Sequence, residues 1–206
     1  MELSKIYLYR MTHIDNVDHI LAYGITHKKS AQANPYYRTI GDNSLISRRD
    51  NFITDSGREL GDYIPFYFGP RTPMLYVIQK GYNGVRMTPA EEIVYCVTSL
   101  AKIIESNLDY IYADGHATDG FTKFFSMNDM ELIDSQVDFE ATNANYWKKE
   151  NDLDFKRRKE AELLILGDLA IEFNLGFIVF NEKAKEALVQ KGIDDKLVVI
   201  KPNNYF

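Results

Sequence analysis

The sequence predicts an α+β domain built on a mixed, split β-sheet with peripheral helices. About six to eight short segments rich in β-branched and aromatic residues are bounded by turn residues, which is how strands read. Helical segments fall between them at irregular intervals, whereas a doubly wound fold needs one after nearly every strand. The 206 residues fit one domain over 1–206, or a core with insertions, and are enough to bury a sizeable core.

The elements follow in order. The stretch KIYLYRM (5–11) reads as a strand. A helix start follows, with Thr12 as candidate cap and Asp15 three residues on. Ile14, Val17, Ile20 and Leu21 recur at helical spacing, and Gly24 supplies the stop. Residues 26–62 are polar and irregular, with one short helix expected near NSLISRRDNF. The run YIPFYFGPRTPMLYVI (63–78) is apolar but broken by Pro65, Pro70 and Pro73, which predicts an edge strand and a turn instead of a central strand. EIVYCVTSL (92–100) is a strand with a short helix over LAKIIESN, and LDYIYADGH (108–116) is a strand ending in an Asp-Gly turn. Residues 117–160 mix short helices with polar loops. Strands return at AELLIL and GFIVF, a helix spans EKAKEALVQKG, and KLVVIK is the last strand.

Composition excludes several classes. A net charge of −6 argues against coating nucleic acid through bulk electrostatics, so any such contact needs a local basic patch. No apolar run approaches the roughly 18 residues that span a membrane. The N-terminal stretch carries no signal-peptide pattern. The single cysteine, Cys96, lies in an apolar run and reads as a core residue; it excludes an internal disulfide framework and suits a reducing cytoplasm. There is no G-x-G-x-x-G, no Walker A sequence, no H-E-x-x-H and no paired-cysteine motif, so neither a standard phosphate cradle nor a metal site is expected.

Three polar residues stand where predicted strands end or loops begin. His13 follows the first strand, Arg49 lies in ISRRDNFI, and Glu162 opens AELLIL. A histidine at a helix start is ordinarily a turn residue, and a loop arginine is ordinarily solvated. Glu162 is harder to dismiss, because alternation puts it on one strand face with Leu164 and Leu166. A carboxylate on a partly buried face needs a partner or a task.

Several segments together resemble one family. YRMTHIDNVDHILAYGI (9–25), RTIGDNSLISRR (38–49), DYIPFYFGPRTPMLY (62–76), DGHATDGFTKFF (114–125), NYWKK (145–149) and KRRKEAELLI (156–165) occur in the order found in DarT proteins, the DNA ADP-ribosyltransferase toxins of bacterial toxin–antitoxin systems. The resemblance implies an ADP-ribosyltransferase fold, a split sheet with NAD in its cleft. It implies transfer of ADP-ribose to a base in single-stranded DNA, thymine in this group and guanine in a sister group, with nicotinamide released. A macrodomain antitoxin, DarG, is the implied partner, and no membrane or metal is implied.

Carried over by position, the catalytic glutamate falls on Glu162, with Glu160 two residues earlier as a competing carboxylate that alignment alone sets aside. Arg49 matches the second catalytic residue and His13 an NAD-binding histidine. Asp15, Asn16, Gly41 and Tyr67 lie in matching blocks and are expected to line the same cleft, and His116 matches a further polar position. The segment about 139–161 would be the substrate-recognition loop, with Tyr146, Trp147, Lys148, Lys149, Arg157 and Arg158 contacting DNA. Aromatic and basic residues together are what single-strand binding uses. Trp147 reads equally well as a core residue, and the basic run as a solvated helix. Transfer to guanine, RNA or protein remains open, as does a non-catalytic NAD- or nucleic-acid-binding module. Intact Glu162, Arg49 and His13 speak against the last.

Overall fold

The computed structural model describes residues 2–54 and 57–206. Eight strands form one sheet in the order β5-β4-β6-β2-β1-β3-β7-β8. They are β1 (Tyr7–His13), β2 (Tyr63–Tyr67), β3 (Ile93–Ser99), β4 (Tyr110–Ala113), β5 (Phe124–Ser126), β6 (Glu162–Leu166), β7 (Gly176–Val179) and β8 (Val198–Ile200). All neighbours are antiparallel except β7 and β8, so the sheet is mixed as expected. Among the described residues eight α-helices pack around it: α1 (Val17–Tyr23), α2 (Asn43–Asp50), α3 (Pro73–Lys80), α4 (Leu100–Glu105), α5 (Ile133–Gln136), α6 (Phe139–Asn143), α7 (Phe155–Lys159) and α8 (Glu182–Gln190).

The sheet is split at its middle. Every residue of β1 pairs with β3, from Tyr7↔Ser99 to His13↔Ile93, but β1 meets β2 at the single pair Tyr9↔Tyr67. This explains how β2 can be central, against the expectation of an edge strand. In an antiparallel strand the N–H and C=O of one residue point to the same side. The Pro65 carbonyl accepts a hydrogen bond from Arg10 Nη1 of β1 at 3.1 Å, so Pro65 turns its missing N–H towards β1, where the ladder is already open. The proline rule holds; the split supplies the free edge inside the sheet.

The second half of the same run is helix α3, not strand. Pro73 occupies its first turn, where no N–H is needed, and the Thr72 hydroxyl accepts from Leu75 N–H. The cap before α1 also differs: His13 Nδ1 accepts from Asp15 N–H, while the Thr12 hydroxyl holds the Asn16 side chain. Gly24, with φ of +79°, ends α1 as expected. The edge strand β5 had no clear sequence signal.

The main core takes Leu163 and Ile165 of β6 with Phe66, Cys96 and Tyr112. A smaller cluster on the opposite side takes Leu164, with Leu60, Tyr63 and Ala117, and Leu166 and Phe52 pack against it. Alternation along β6 therefore turns Glu162 towards this smaller cluster, beside the end of α2. Cys96 is fully buried, and burial pushes its thiol up to about 12.

Candidate active site

Glu162 is the first residue of β6, set between Tyr67 of β2 and Ala113 of β4. It is fully buried. A buried carboxylate must be paired and hydrogen-bonded to persist, and here both needs are met. Arg49 Nη1 spans its two oxygens at 3.1 and 3.0 Å, and Ala117 N–H donates to Oε1 at 2.9 Å. Strand pairing on both sides, one backbone donor and one guanidinium fix the carboxylate in a single orientation.

Arg49 lies in the last turn of α2, whose start is capped by the Asp42 carboxylate accepting from Ser44 N–H. Its neighbour Arg48 donates to the Thr118 carbonyl at 2.9 Å, tying α2 to the 114–122 loop that also carries Ala117. Arg49 Nη2 is buried and has no hydrogen-bond partner. An unsatisfied donor of this kind, next to a fixed carboxylate, suits an oxygen of an incoming anion or carbonyl.

His13 ends β1, four residues beyond the row that joins Tyr9, Tyr67 and Glu162. It is buried, and its Nδ1 accepts from Asp15 N–H, so the other nitrogen carries the proton and donates to Glu92 Oε2 at 3.0 Å. At the α1 entry the Asp15 N–H is thus taken by His13. Asp15 is exposed and pairs with Arg38 at 2.7 Å, which holds its carboxyl below the usual range. Asn16 is buried and clasps the Arg38 backbone from both sides of its amide. Asp15 and Asn16 thus shape the Arg38 loop. Gly41 leads into α2, and a Cβ there would meet only Ile46 at an ordinary 3.6 Å. Tyr67 stands beside Glu162, and desolvation followed by the charges of Glu162 and Glu160 keeps its phenol protonated.

The segment before β6 differs most from expectation. The four basic residues of α7 do not form a bare cationic face. Arg157 pairs with Asp154 and Asp114, both at 2.7 Å. Arg158 pairs with Asp152 at 2.5 Å and approaches Asp138. Lys159 is fully buried and donates to the Thr142 and Ala144 carbonyls at 3.2 and 2.5 Å. Lys156 pairs with Glu160 at 3.1 Å. The run locks the loop together, and the sequence could not show this because its carboxylate partners are scattered between residues 114 and 160. Glu160 caps α7 instead of extending β6, so it shares no strand face with Glu162. Burial raises its pKa, against the pull of His116 and Lys156.

Of the remaining residues, His116 Nδ1 meets the Thr118 hydroxyl at 3.1 Å. Tyr146, Lys148 and Lys149 are exposed, Lys149 on Glu140 at 2.7 Å. Trp147 is half-buried against Tyr76 and Phe206, between the core and surface placements expected of it. A cleft of ≈ 950 Å³ is bounded by Arg48, His116, Thr118, Phe121, Lys156 and Glu160, the neighbours of Arg49, Ala117 and Glu162. The backbone donor Ala117 and the His13 partner Glu92 carried no sequence signal. Among the described residues no group of three metal-ligating side chains lies close enough to hold an ion, and no helix is long and apolar enough to cross a membrane.

Comparison with known proteins gives this arrangement a family. The profile described as ssDNA thymidine ADP-ribosyltransferase, DarT, matches residues 9–206. A DNA ADP-ribosyl transferase of Escherichia coli O127:H6 is 30% identical over 191 residues, 91% of this chain and 86% of the relative. That of Thermus sp. 2.9 is 34% identical over 165 residues, 77% and 73% of the two chains. A Thermosipho africanus DNA ADP-ribosyl transferase–DNA ADP-ribosyl glycohydrolase fusion protein is 28% identical over 77% of this chain and 38% of its own. Among solved structures, Thermus sp. 2.9 DarT in complex with ADP-ribosylated ssDNA superposes with a TM-score of 0.84 at 26% identity, covering 98% of this chain and 96% of that one. The same protein in complex with NAD+ gives 0.81 at 26% identity over 100% and 99%. By the family profile over residues 9–206 and by these relatives, the chain belongs to the DarT family of ssDNA thymidine ADP-ribosyltransferases.

Proposed function

We propose that this chain uses Glu162 and Arg49 to transfer ADP-ribose from NAD to a thymine base in single-stranded DNA, releasing nicotinamide. The observation that carries the residue assignment is the fixed Glu162 carboxylate beside an Arg49 Nη2 with nothing to bond. The bond from ribose C1′ to nicotinamide breaks with its electron pair leaving on nicotinamide, and a bond from C1′ to a ring nitrogen of the base forms. Positive charge develops at C1′, as in glycoside hydrolysis. Glu162, hydrogen-bonded to the ribose 2′-hydroxyl, tightens its hold as that charge grows. Arg49 is a poor base because guanidinium stays protonated; it stabilises the developing base anion or the diphosphate through Nη2. The proton on the base nitrogen leaves to Glu162, directly or through water.

His13 orients NAD by exchanging Glu92 for a ribose hydroxyl, with Asp15, Asn16, Gly41 and Tyr67 shaping that wall of the cleft. The 139–161 segment presents DNA. The Thermosipho fusion, which joins a transferase to a glycohydrolase, supports pairing of this chain with a DarG-type antitoxin that removes the mark. The chain then acts as a toxin in the cytoplasm, where NAD and DNA meet.

The test is incubation with NAD and oligonucleotides with or without thymine, read by mass spectrometry. A gain of one ADP-ribose only where thymine is present, lost in Glu162→Gln, is the expected result. A gain on guanine would move the chain to the sister group. No gain on any DNA despite NAD binding would overturn the DNA acceptor and turn attention to RNA or protein.

A further inference from the structure

The charges of α7 are spent inside the loop, which leaves open what meets the DNA strand on either side of the acceptor base. The answer lies on helix α3. Met74 and Val77 of that helix, with Asn83 just beyond it, line the cleft bounded by Arg48, His116 and Thr118, the sequence neighbours of Arg49 and Ala117. Tyr76 and Lys80 face the neighbouring side of α3, and Tyr82 sits beside Asn83 in the next turn. The cleft therefore continues directly onto a second surface.

That surface is a ladder of rings interleaved with cations. Tyr76 meets Tyr82 with ring centroids 5.7 Å apart and Trp147 at 5.2 Å. Phe206 closes the cluster at 5.1 Å from Tyr76 and 5.7 Å from Trp147. The Arg71 guanidinium lies over the Phe206 ring at 4.3 Å and over Tyr146 at 5.6 Å, and Lys80 lies over Tyr76 at 5.9 Å. The outer rings are open to solvent, Tyr146 at 66% and Tyr82 at 52%. Rings in a core are buried for their area; rings left this open, on a surface, have a π-face to offer.

Three further features point to a nucleic-acid strand. First, no ion pair to a carboxylate is found for Arg71, Lys80 or Lys148 among the described residues, in contrast to Arg157, Arg158 and Lys156. Secondly, Arg71 holds φ at +55°, a left-handed conformation that a residue with a side chain adopts at a cost. Its guanidinium lies within reach of both the Phe206 and Tyr146 rings. Thirdly, Arg71 Nε is buried without a hydrogen-bond partner. Free cations among exposed rings are the elements of single-strand binding, in which bases stack and phosphates are neutralised without sequence readout.

We infer that the face formed by Arg71, Tyr76, Lys80 and Tyr82, continuous with Tyr146 and Trp147, is the track that carries the single strand flanking the acceptor base. This rests on the transferase reading above and adds contacts outside the 139–161 segment to those of Tyr146 and Lys148 within it. Tyr82 and Tyr146 stack bases, and Lys80 and Lys148 neutralise phosphates.

The test is the affinity of the intact protein for a fluorescent thymine-containing 12-mer, by anisotropy, together with kcat and KM for transfer to it. Tyr82→Ala should weaken binding and raise KM about five- to hundredfold, with kcat and NAD affinity unchanged. Tyr82→Phe should behave as wild type, since the ring and not the hydroxyl is used. Lys80→Ala should flatten the dependence of log affinity on log salt by about 0.7. A thymine oligonucleotide too short to reach the track should show none of these effects. Transfer that proceeds with the same KM in Tyr82→Ala and Lys80→Ala overturns the track and leaves the enzyme reading intact. Tyr82-dependent binding without transfer supports the track and overturns the enzyme reading.

Discussion

Strand β1 makes two ladders of opposite quality. Towards β3 it pairs along its whole length; towards β2 it touches once, at Tyr9↔Tyr67, and then parts. Glu162 belongs to the half of the sheet beyond β2, and His13 to the half beyond β1. The comparison shows how a sheet can open along one seam without softening either half. Each half keeps continuous pairing, and only the seam between them is open. The backbone groups freed at the seam are few, because Pro65 has no N–H to strand and its carbonyl is taken by Arg10.

If the seam is the site, the largest effect should come from the group that faces it from β6. Glu162→Gln keeps shape and removes charge, and kcat for transfer should fall by about 10²–10³-fold with NAD binding retained, measured by mass-spectrometric time courses. Arg49→Ala tests the same pair through stability. It leaves a buried carboxylate with only Ala117 N–H, and should cost about 3 kcal/mol in urea unfolding. The double variant Arg49→Met/Glu162→Leu should regain most of that loss while remaining inactive.

The seam itself is probed by Arg10→Met. Removing the donor to the Pro65 carbonyl should cost about 1–2 kcal/mol and speed amide exchange in β2 more than in β3; equal exchange in both would mean that the two ladders are equally firm. A further effect concerns the loop before β6. Burial pushes the Lys159 ammonium down to about 8, from 10.5 in the unfolded chain. Between those values the unfolded chain binds more protons than the folded one, so stability should rise with pH. Lys159→Met should flatten that rise in melting temperature between pH 8 and 10; a slope unchanged from wild type would remove Lys159 as its source.

Much of this was legible in the sequence because strand alternation is a local property. Glu162 shares a face with Leu164 and Leu166, as alternation required; that this face packs on the smaller cluster and not the main core is shown by the fold. What the sequence could not show was whatever depends on a distant partner. Proline in β2 argued for an edge, and the edge exists, but inside the sheet. Four consecutive basic residues argued for a phosphate-binding surface; that Asp114, Asp138, Asp152 and Asp154 come to lie beside Arg157 and Arg158 emerges only on folding. Ala117 acts through its backbone N–H, which every residue but proline has, so no residue type could announce it. The choice between Glu160 and Glu162 was made by family alignment; the structure adds a reason, since α7 ends at Glu160 before the strand begins.

The two outermost strands, β5 and β8, are three residues each. Lys123 precedes the first, and Lys201 follows the second. A sheet eight strands wide exposes long rims of unpaired amides unless they are kept short or charged, and such rims recruit further strands from neighbouring molecules. Here they offer too few groups for a register to take hold, and a lysine beside each disfavours stacking of like copies. Lengthening either rim by two or three apolar residues would be felt first as fibre formation in concentrated solution, before any loss of the folded state.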